Sequence, residues 1–277
     1  MPEVSAGIAG DLELIRTAAR EAATIAMRYF KAEPEVWWKG QSPVSEADYA
    51  VDRFLRDLLT KARPDYGWLS EETVDTPERL TARRTFVVDP IDGTRAFLEG
   101  RSTWCVSIAV VEAGRPLAGV LDCPAKNRVF EAARGGGATL DGGAITVVAA
   151  AASPLVAGPK ALVDVLPPEL LARIRRAPYV PSLAYRLAMV ACGELDGTFV
   201  KPNSHDWDLA AADLILAESG GTVVDAAGRL LQYAGPDPSH GPLAAGSGEL
   251  LERLVAAINP PDPGGAATVV PKPAELL

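Results

Sequence analysis

One stretch limits what this chain can fold into more than any other: Thr85-Phe86-Val87-Val88 running into Asp89-Pro90-Ile91-Asp92-Gly93-Thr94. The first four residues read as a buried strand, β-branched or aromatic and apolar. Pro90 can neither donate to a sheet ladder nor leave Asp89 comfortable in the α region, so the strand is expected to end there. Two carboxylates leaving that edge can reach a common hard cation. Gly93 and Thr94 follow at an expected helix start, where free backbone N–H groups can hold a phosphate.

Around this stretch the reading alternates between helices and strands. Leu12, Ile15, Ala19, Ala22, Ala26 and Tyr29 recur at three- and four-residue steps and predict a helix from Asp11 to Phe30. Ser45, with Asp48 three residues on, has the pattern of a capping box that opens a second helix bearing Val51, Leu55, Leu58 and Leu59. Lys39 to Pro43 between them is expected to be a loop, and Glu71 is expected just after a short strand. Strands are predicted at Trp104–Glu112 and Leu117–Asp122, flanking a hairpin turn at Ala113-Gly114-Arg115-Pro116, then at Arg128–Ala133 and near Ile145–Val148. The first 149 residues thus predict two helices on a mostly antiparallel sheet.

The run Ala149-Ala150-Ala151-Ala152-Ser153-Pro154 marks an expected boundary, with a second, α/β domain over 150–258. Its elements are Leu155–Ala157, Pro167–Arg176, Ser182–Cys192, Gly197–Val200, Asp206–Glu218, Thr222–Val224 and a last helix near Glu249–Ile258. Residues 259–277, with five prolines among nineteen residues, are expected to form an extended tail.

Composition excludes several functions. Net charge is -9, from 36 acidic against 27 basic residues, and no Lys/Arg run would track a nucleic-acid backbone. No stretch approaches the roughly 20 apolar residues of a membrane span, and no basic segment leads into an apolar leader. The three cysteines, Cys105, Cys123 and Cys192, form no CxxC pair and argue for a reducing, cytoplasmic setting. The only histidines are His205 and His240.

Four acidic sites stand out: Asp48, Glu71, the Asp89/Asp92 pair, and Asp208 at the start of the helix that opens at Asp206-Trp207. Each has an ordinary explanation. Asp48 can be a capping-box acid, Asp208 a first-turn acid favoured by the helix dipole, Glu71 one of a solvated pair, and Asp89/Asp92 a turn.

Taken together, these pieces resemble the inositol monophosphatase superfamily of metal-dependent phosphatases, which includes bacterial 3′(2′),5′-bisphosphate nucleotidases. Asp89-Pro90-Ile91-Asp92-Gly93-Thr94 followed by Phe97 is similar to the family's first signature. Trp207-Asp208-Leu209-Ala210-Ala211 running to Glu218-Ser219-Gly220-Gly221 is similar to the second. Ser42-Pro43-Val44-Ser45-Glu46-Ala47-Asp48 and Ser70-Glu71-Glu72 match two further blocks in order.

The resemblance implies a layered α-β-α-β-α sandwich and a Mg²⁺-dependent phosphomonoesterase acting on a small phosphate ester. Glu71, Asp89 and the carbonyl of Ile91 would hold one Mg²⁺; Asp89, Asp92 and Asp208 would hold a second. Asp48 with Thr94 would orient the attacking water, where a third ion can also sit. The Gly93 and Thr94 amides would hold the phosphate, so Ile91, Asp92, Gly93, Thr94 and Asp208 all border the substrate. Carboxylates, a carbonyl and water are the ligands Mg²⁺ accepts. Homodimers are common in that family, although no sequence feature here demonstrates one.

Substrate choice is less constrained. Where the inositol enzymes place an acid seven positions before the second-motif Asp, this chain has Lys201. A cation suits a second anionic group better than a neutral polyol. With the Ser-Pro-Val-Ser-Glu-Ala-Asp and Leu-Ser-Glu-Glu blocks, it leans toward a nucleotide bisphosphate such as 3′-phosphoadenosine 5′-phosphate. Inositol 1-phosphate is the alternative, then histidinol phosphate or fructose 1,6-bisphosphate. Arg186 is a further candidate for the non-reacting part of the substrate, and His205 reads as a loop residue or a support behind the ligands rather than a ligand. An aspartyl-phosphate mechanism wants Asp-x-Asp and is discarded. A non-catalytic phospholigand-binding protein would be expected to have lost one of the acids, and none is missing.

Overall fold

In the computed structural model, residues 2–40 and 42–258 are described. The first half runs α1 (Pro2–Tyr29), β1 (Val36–Lys39), β2 (Ser42–Ser45), α2 (Glu46–Ala62), β3 (Gly67–Ser70), β4 (Arg84–Asp92), α3 (Thr94–Leu98), β5 (Cys105–Glu112), β6 (Arg115–Cys123), β7 (Arg128–Ala133), β8 (Ala138–Leu140) and β9 (Gly143–Ile145). Strands β3 to β9 form one seven-stranded sheet in sequence order, antiparallel except for the parallel β3/β4 pair.

The second half runs β10 (Leu155–Ala157), α4 (Lys160–Val163), α5 (Pro168–Leu171), β11 (Arg175–Arg176), α6 (Leu183–Ala191), β12 (Gly197–Val200), β13 (Ser204–His205), α7 (Asp206–Glu218), β14 (Thr222–Asp225), β15 (Ser239–His240), β16 (Leu243–Gly246) and α8 (Gly248–Ile258). Its sheet has five strands in the order β11-β10-β12-β16-β14.

Side-chain alternation along the strands sorts these elements into layers. Phe86, Val88, Val106, Ile108 and Val120 face α1 and α2, where Ile15, Ala19, Ala22, Val51, Leu55 and Leu59 are fully buried. Val87, Cys105, Ala109, Leu121 and Phe130 point the other way, onto α6 and α7. Those helices also cover Ala157, Val200, Val223 and Ala245 of the second sheet. The far face of that sheet, with Val156, Phe199 and Ala244, is capped by Val163, Leu170, Leu250 and Leu254. The order is helix, sheet, helix, sheet, helix, as the resemblance implies.

Lying between two sheets, α7 is apolar nearly all round, with Leu209, Ala210, Ala211, Ala212, Ile215 and Leu216 buried. Its alanines let it approach β6 closely: a Cβ added at Gly119 would lie 3.0 Å from Ala211 Cα.

Several boundaries differ from expectation. Helix α1 begins at Pro2 rather than Asp11, because Gly7 and Gly10 dilute the helical signal without breaking the helix. The expected loop at Lys39–Pro43 is flanked by a β1/β2 hairpin pairing Lys39 with Ser42, Gln41 lying outside the described residues. Strand β4 does not stop at Pro90 but runs to Asp92 through a register shift between Asp89 and Asp92. The bulge takes Pro90 out of the ladder, so its missing N–H costs nothing, and Ile91 N–H is satisfied by Asp89 Oδ1 at 3.0 Å.

The strand expected at Ile145–Val148 ends at Ile145, and pairing comes earlier, at β8 and β9. Pro167–Arg176 splits into one helical turn and two strand residues. Strand β16 was not expected; being antiparallel to both β12 and β14, it makes the second sheet mixed. The expected tail at 259–277 lies outside the described residues. Among those described, no helix is long and apolar enough to cross a membrane.

Candidate active site

The end of β3, the β4 bulge and the α7 N-terminus bring acids from both halves of the chain to one cavity of about 800 Å³. Glu71, Asp89, Asp92, Thr94 and Asp208 line it, together with Lys160, Arg186, Lys201 and His205. Each of Asp89, Asp92 and Asp208 offers one carboxylate oxygen within 4.8 Å of the others, the only group of three acids, histidines or cysteines so placed among the described residues.

Local hydrogen bonds aim each carboxylate. Asp48 is the capping-box acid of α2, its Oδ2 accepting from Ser45 N–H at 2.8 Å. Its Oδ1 remains for Thr94 Oγ1, 3.2 Å away. The ordinary and the functional readings of Asp48 therefore use different oxygens of one carboxylate. Thr94 Oγ1 is also 3.1 Å from the Ile91 carbonyl, so its single proton can go to either acceptor.

Asp208 follows the same logic. One oxygen accepts from His205 N–H at 2.6 Å, capping α7, and leaves the other for the cluster. Asp92 is held by the start of α6, accepting from Ala184 N–H at 2.7 Å, Leu183 N–H at 3.2 Å and the Ser182 hydroxyl. Between Asp92 and Thr94, Gly93 has φ of 94°, and an added Cβ would lie 3.0 Å from both Ser182 Cβ and Thr103 O. Only glycine fits there without strain.

Crowding like charges out of water raises their pKa values. Burial, followed by the charges of Glu71, Asp92 and Asp208, pushes Asp89 well above the carboxylate range. Burial and then Asp208 do the same to Glu71. Burial raises Asp92 against the pull of its hydrogen bonds to Ser182, Ala184 and Leu183. Asp208 is pushed up to about 7 by burial and Asp92, and Asp48 to about 6, chiefly by burial. Hard oxygen ligands, packed so that they repel one another, are the donor set a small divalent cation neutralises. These residues therefore fit Mg²⁺.

The remaining candidates are less direct. Lys201 is exposed on the cavity wall, and its charge lowers the pKa of Asp208. Arg186 lines the cavity but is buried, its guanidinium donating to the carbonyls of Val180 and Phe199 at 3.3 Å each. It ties these two backbone segments together, and its charge adds a small downward pull on the pKa of Asp92. The His205 ring stacks on Trp207, with centroids 4.6 Å apart.

Two supporting groups were missed by sequence reasoning. Ser182, a plausible N-cap from its position, gave no hint that its helix would meet Asp92. Asp52 lies one turn after Asp48 on α2, a spacing that could have flagged it, and bonds to Ser70 and Thr73 on either side of Glu71.

A family model described as "Inositol monophosphatase family" matches residues 11–260. An inositol-1-monophosphatase of Rhizobium meliloti is 33% identical over 232 residues, covering 79% of this chain and 84% of the relative. A histidinol-phosphatase of Mycobacterium tuberculosis is 35% identical over 225 residues, covering 76% and 82%. The solved extragenic suppressor protein suhB of Bartonella henselae superposes with a TM-score of 0.77 at 28% identity, covering 91% of this chain and all (100%) of that one.

Proposed function

The chain belongs to the inositol monophosphatase family, whose members are phosphatases, and from that premise we propose that it hydrolyses inositol 1-phosphate, or a close polyol monophosphate, with Mg²⁺. The observation that carries this reading is the meeting of the Asp89, Asp92 and Asp208 carboxylates beside the Asp48–Thr94 pair in one cavity. In this reading Glu71, Asp89, Asp92, Asp208 and the Ile91 carbonyl hold two Mg²⁺ ions, with a third optional beside Asp48. When bound, the ions supply positive charge for the phosphoryl oxygens and acidify a water.

The chain's own groups do the rest. Thr94 has one hydroxyl proton; donated to Asp48 it leaves an oxygen lone pair that accepts from a water and turns that water toward phosphorus. Asp48 takes up the negative pole of that chain. The Gly93 and Thr94 amides hold the phosphate, and Asp92 and Asp208 border the leaving alcohol.

The lean toward a nucleotide bisphosphate gains no support from the three relatives above, whose names are inositol-1-monophosphatase, histidinol-phosphatase and suhB. Lys201 on the cavity wall, beside the two sequence blocks already noted, favours it as a second reading. The division at residues 149 and 150 is part of the same proposal, since each large sheet lies wholly on one side of it. So are a cytoplasmic setting, in keeping with three free thiols, and a homodimer as is common in the family.

A phosphate-release assay tests the reading, with inositol 1-phosphate, histidinol phosphate, 3′-phosphoadenosine 5′-phosphate and fructose 1,6-bisphosphate as substrates. With Mg²⁺, inositol 1-phosphate is expected to turn over fastest, and a chelator to abolish release. Highest kcat/KM for the bisphosphate nucleotide would favour the second reading. Failure to release phosphate from any of them, or release indifferent to chelator, would overturn both.

A further inference from the structure

We propose that Asp52 is a positioning residue for Glu71: its carboxylate fastens the turn at residues 70–73 so that Glu71 is aimed at the acid cluster before any ion binds. The inference rests on the reading of Glu71 as an ion-holding residue. Asp52 is buried on α2 at the position after Asp48 that shares its helix face. Its Oδ1 accepts from Ser70 Oγ at 2.5 Å and its Oδ2 from Thr73 Oγ1 at 2.7 Å. These hydroxyls bracket the Glu71-Glu72 pair, so one carboxylate pins the turn on both sides of the acids.

Further bonds stiffen the arrangement. Trp68 Nε1 donates to Thr73 Oγ1 at 3.2 Å, and Glu72 N–H to Ser70 Oγ at 3.4 Å. The Glu71 backbone is held as well, its N–H donating to the Val88 carbonyl at 3.3 Å.

Electrostatics points to geometry as what Asp52 contributes. The charge of Asp52 works against its neighbour, raising the pKa of Glu72. Lys39, the cation that reaches this turn, pairs with Glu72 instead. What Asp52 supplies is two acceptor oxygens, set where both hydroxyls can use them. Groups that orient metal ligands in this way typically change metal affinity by roughly 10–100-fold when removed.

Calorimetric titration of the full chain with Mg²⁺ tests this, alongside the Mg²⁺-induced rise in Tm. Asp52→Ala should weaken Mg²⁺ binding by about 10-fold and shrink that rise. Asp52→Asn should restore most of the affinity, its amide oxygen accepting from Ser70 and its NH₂ donating to Thr73 Oγ1. Asp57→Ala, which removes an exposed acid of the same helix, should bind as wild type does.

Wild-type affinity in Asp52→Ala, or a loss in Asp52→Asn equal to that in Asp52→Ala, would overturn the proposal, the latter because charge and not geometry would then be responsible. Should Asp52→Ala fail to fold, the Ser70→Ala/Thr73→Val double variant carries the same expectation and the same overturning result. Absence of Mg²⁺ binding by the wild-type chain would instead overturn the ion-holding reading on which the inference rests.

Discussion

Replacing Asp208 by Asn should stabilise the ion-free protein while destroying its activity, and the gain should depend on pH. Burial and the charge of Asp92 push the Asp208 carboxyl from 3.8 up to about 7. For an isolated group, a rise of that size corresponds to about 4 kcal/mol of folding free energy lost once the group is ionised. Because Asp208 shares the field of Asp89, Asp92 and Glu71, removing one charge is expected to return about half of this, ~2 kcal/mol.

The sign follows from which state ionises first. Below the ordinary value of 3.8, the carboxyl is protonated in both folded and unfolded chains, and the cost is absent. As pH rises from there to about 7, the unfolded chain ionises first and folding is progressively disfavoured, the full cost being present above that range. Asn keeps an oxygen to accept the His205 N–H, so the α7 cap survives.

Thermal melts in the presence of chelator should therefore put Asp208→Asn ~4–8 °C above wild type at pH 8, at 2–4 °C per kcal/mol for a chain of this size. At pH 3 the difference should vanish. Adding Mg²⁺ at pH 8 should raise the wild-type Tm and leave the variant nearly unmoved. A variant less stable than wild type at pH 8 without Mg²⁺, or an equal difference at both pH values, would refute the reasoning.

Other outcomes follow from the same geometry. Asp92→Asn should lose at least 100-fold in kcat, on the scale of removing a group that acts in the transition state, with its fold intact by circular dichroism; near-wild-type turnover would remove Asp92 from the ion set. Mg²⁺ affinity measured by calorimetry should weaken as pH falls below about 7, because the ion must displace the proton on Asp208. Gly93→Ala should cost about 1–3 kcal/mol in denaturant unfolding, since its φ of 94° and the 3.0 Å approach to Ser182 Cβ leave no room for a side chain. Lys201→Glu should raise kcat/KM for inositol 1-phosphate relative to 3′-phosphoadenosine 5′-phosphate; an unchanged ratio would take Lys201 out of substrate choice.

Local chemistry was legible in the sequence wherever one residue carried a local role as well as a site role. Ser45 and Asp48 announce the start of α2 because a capping box has a fixed spacing, and the same spacing delivers Asp48 Oδ1 to Thr94. The strand before Asp89 is visible in its apolar run. Pro90 misled because a bulge, a tertiary feature of the β4/β5 register, lets the strand pass a residue that cannot donate.

Strand β16 was invisible because Leu-Ala-Ala-Gly has weak strand propensity and is made a strand by its neighbours β12 and β14. Arg186 illustrates the same limit. Its charge drew attention, but burial and two carbonyl acceptors, at Val180 before its helix and Phe199 on β12, decide what it does.

The central claim is that carboxylates from both halves of the chain share divalent ions in the cavity between them. Anomalous diffraction from crystals grown with Mn²⁺ in place of Mg²⁺ measures this most directly. Peaks within bonding distance of Asp89, Asp92 and Asp208 oxygens are predicted, with Glu71 at the adjoining ion. Well-ordered carboxylates with no anomalous peak among them, or Mn²⁺ bound only elsewhere on the surface, would contradict the account.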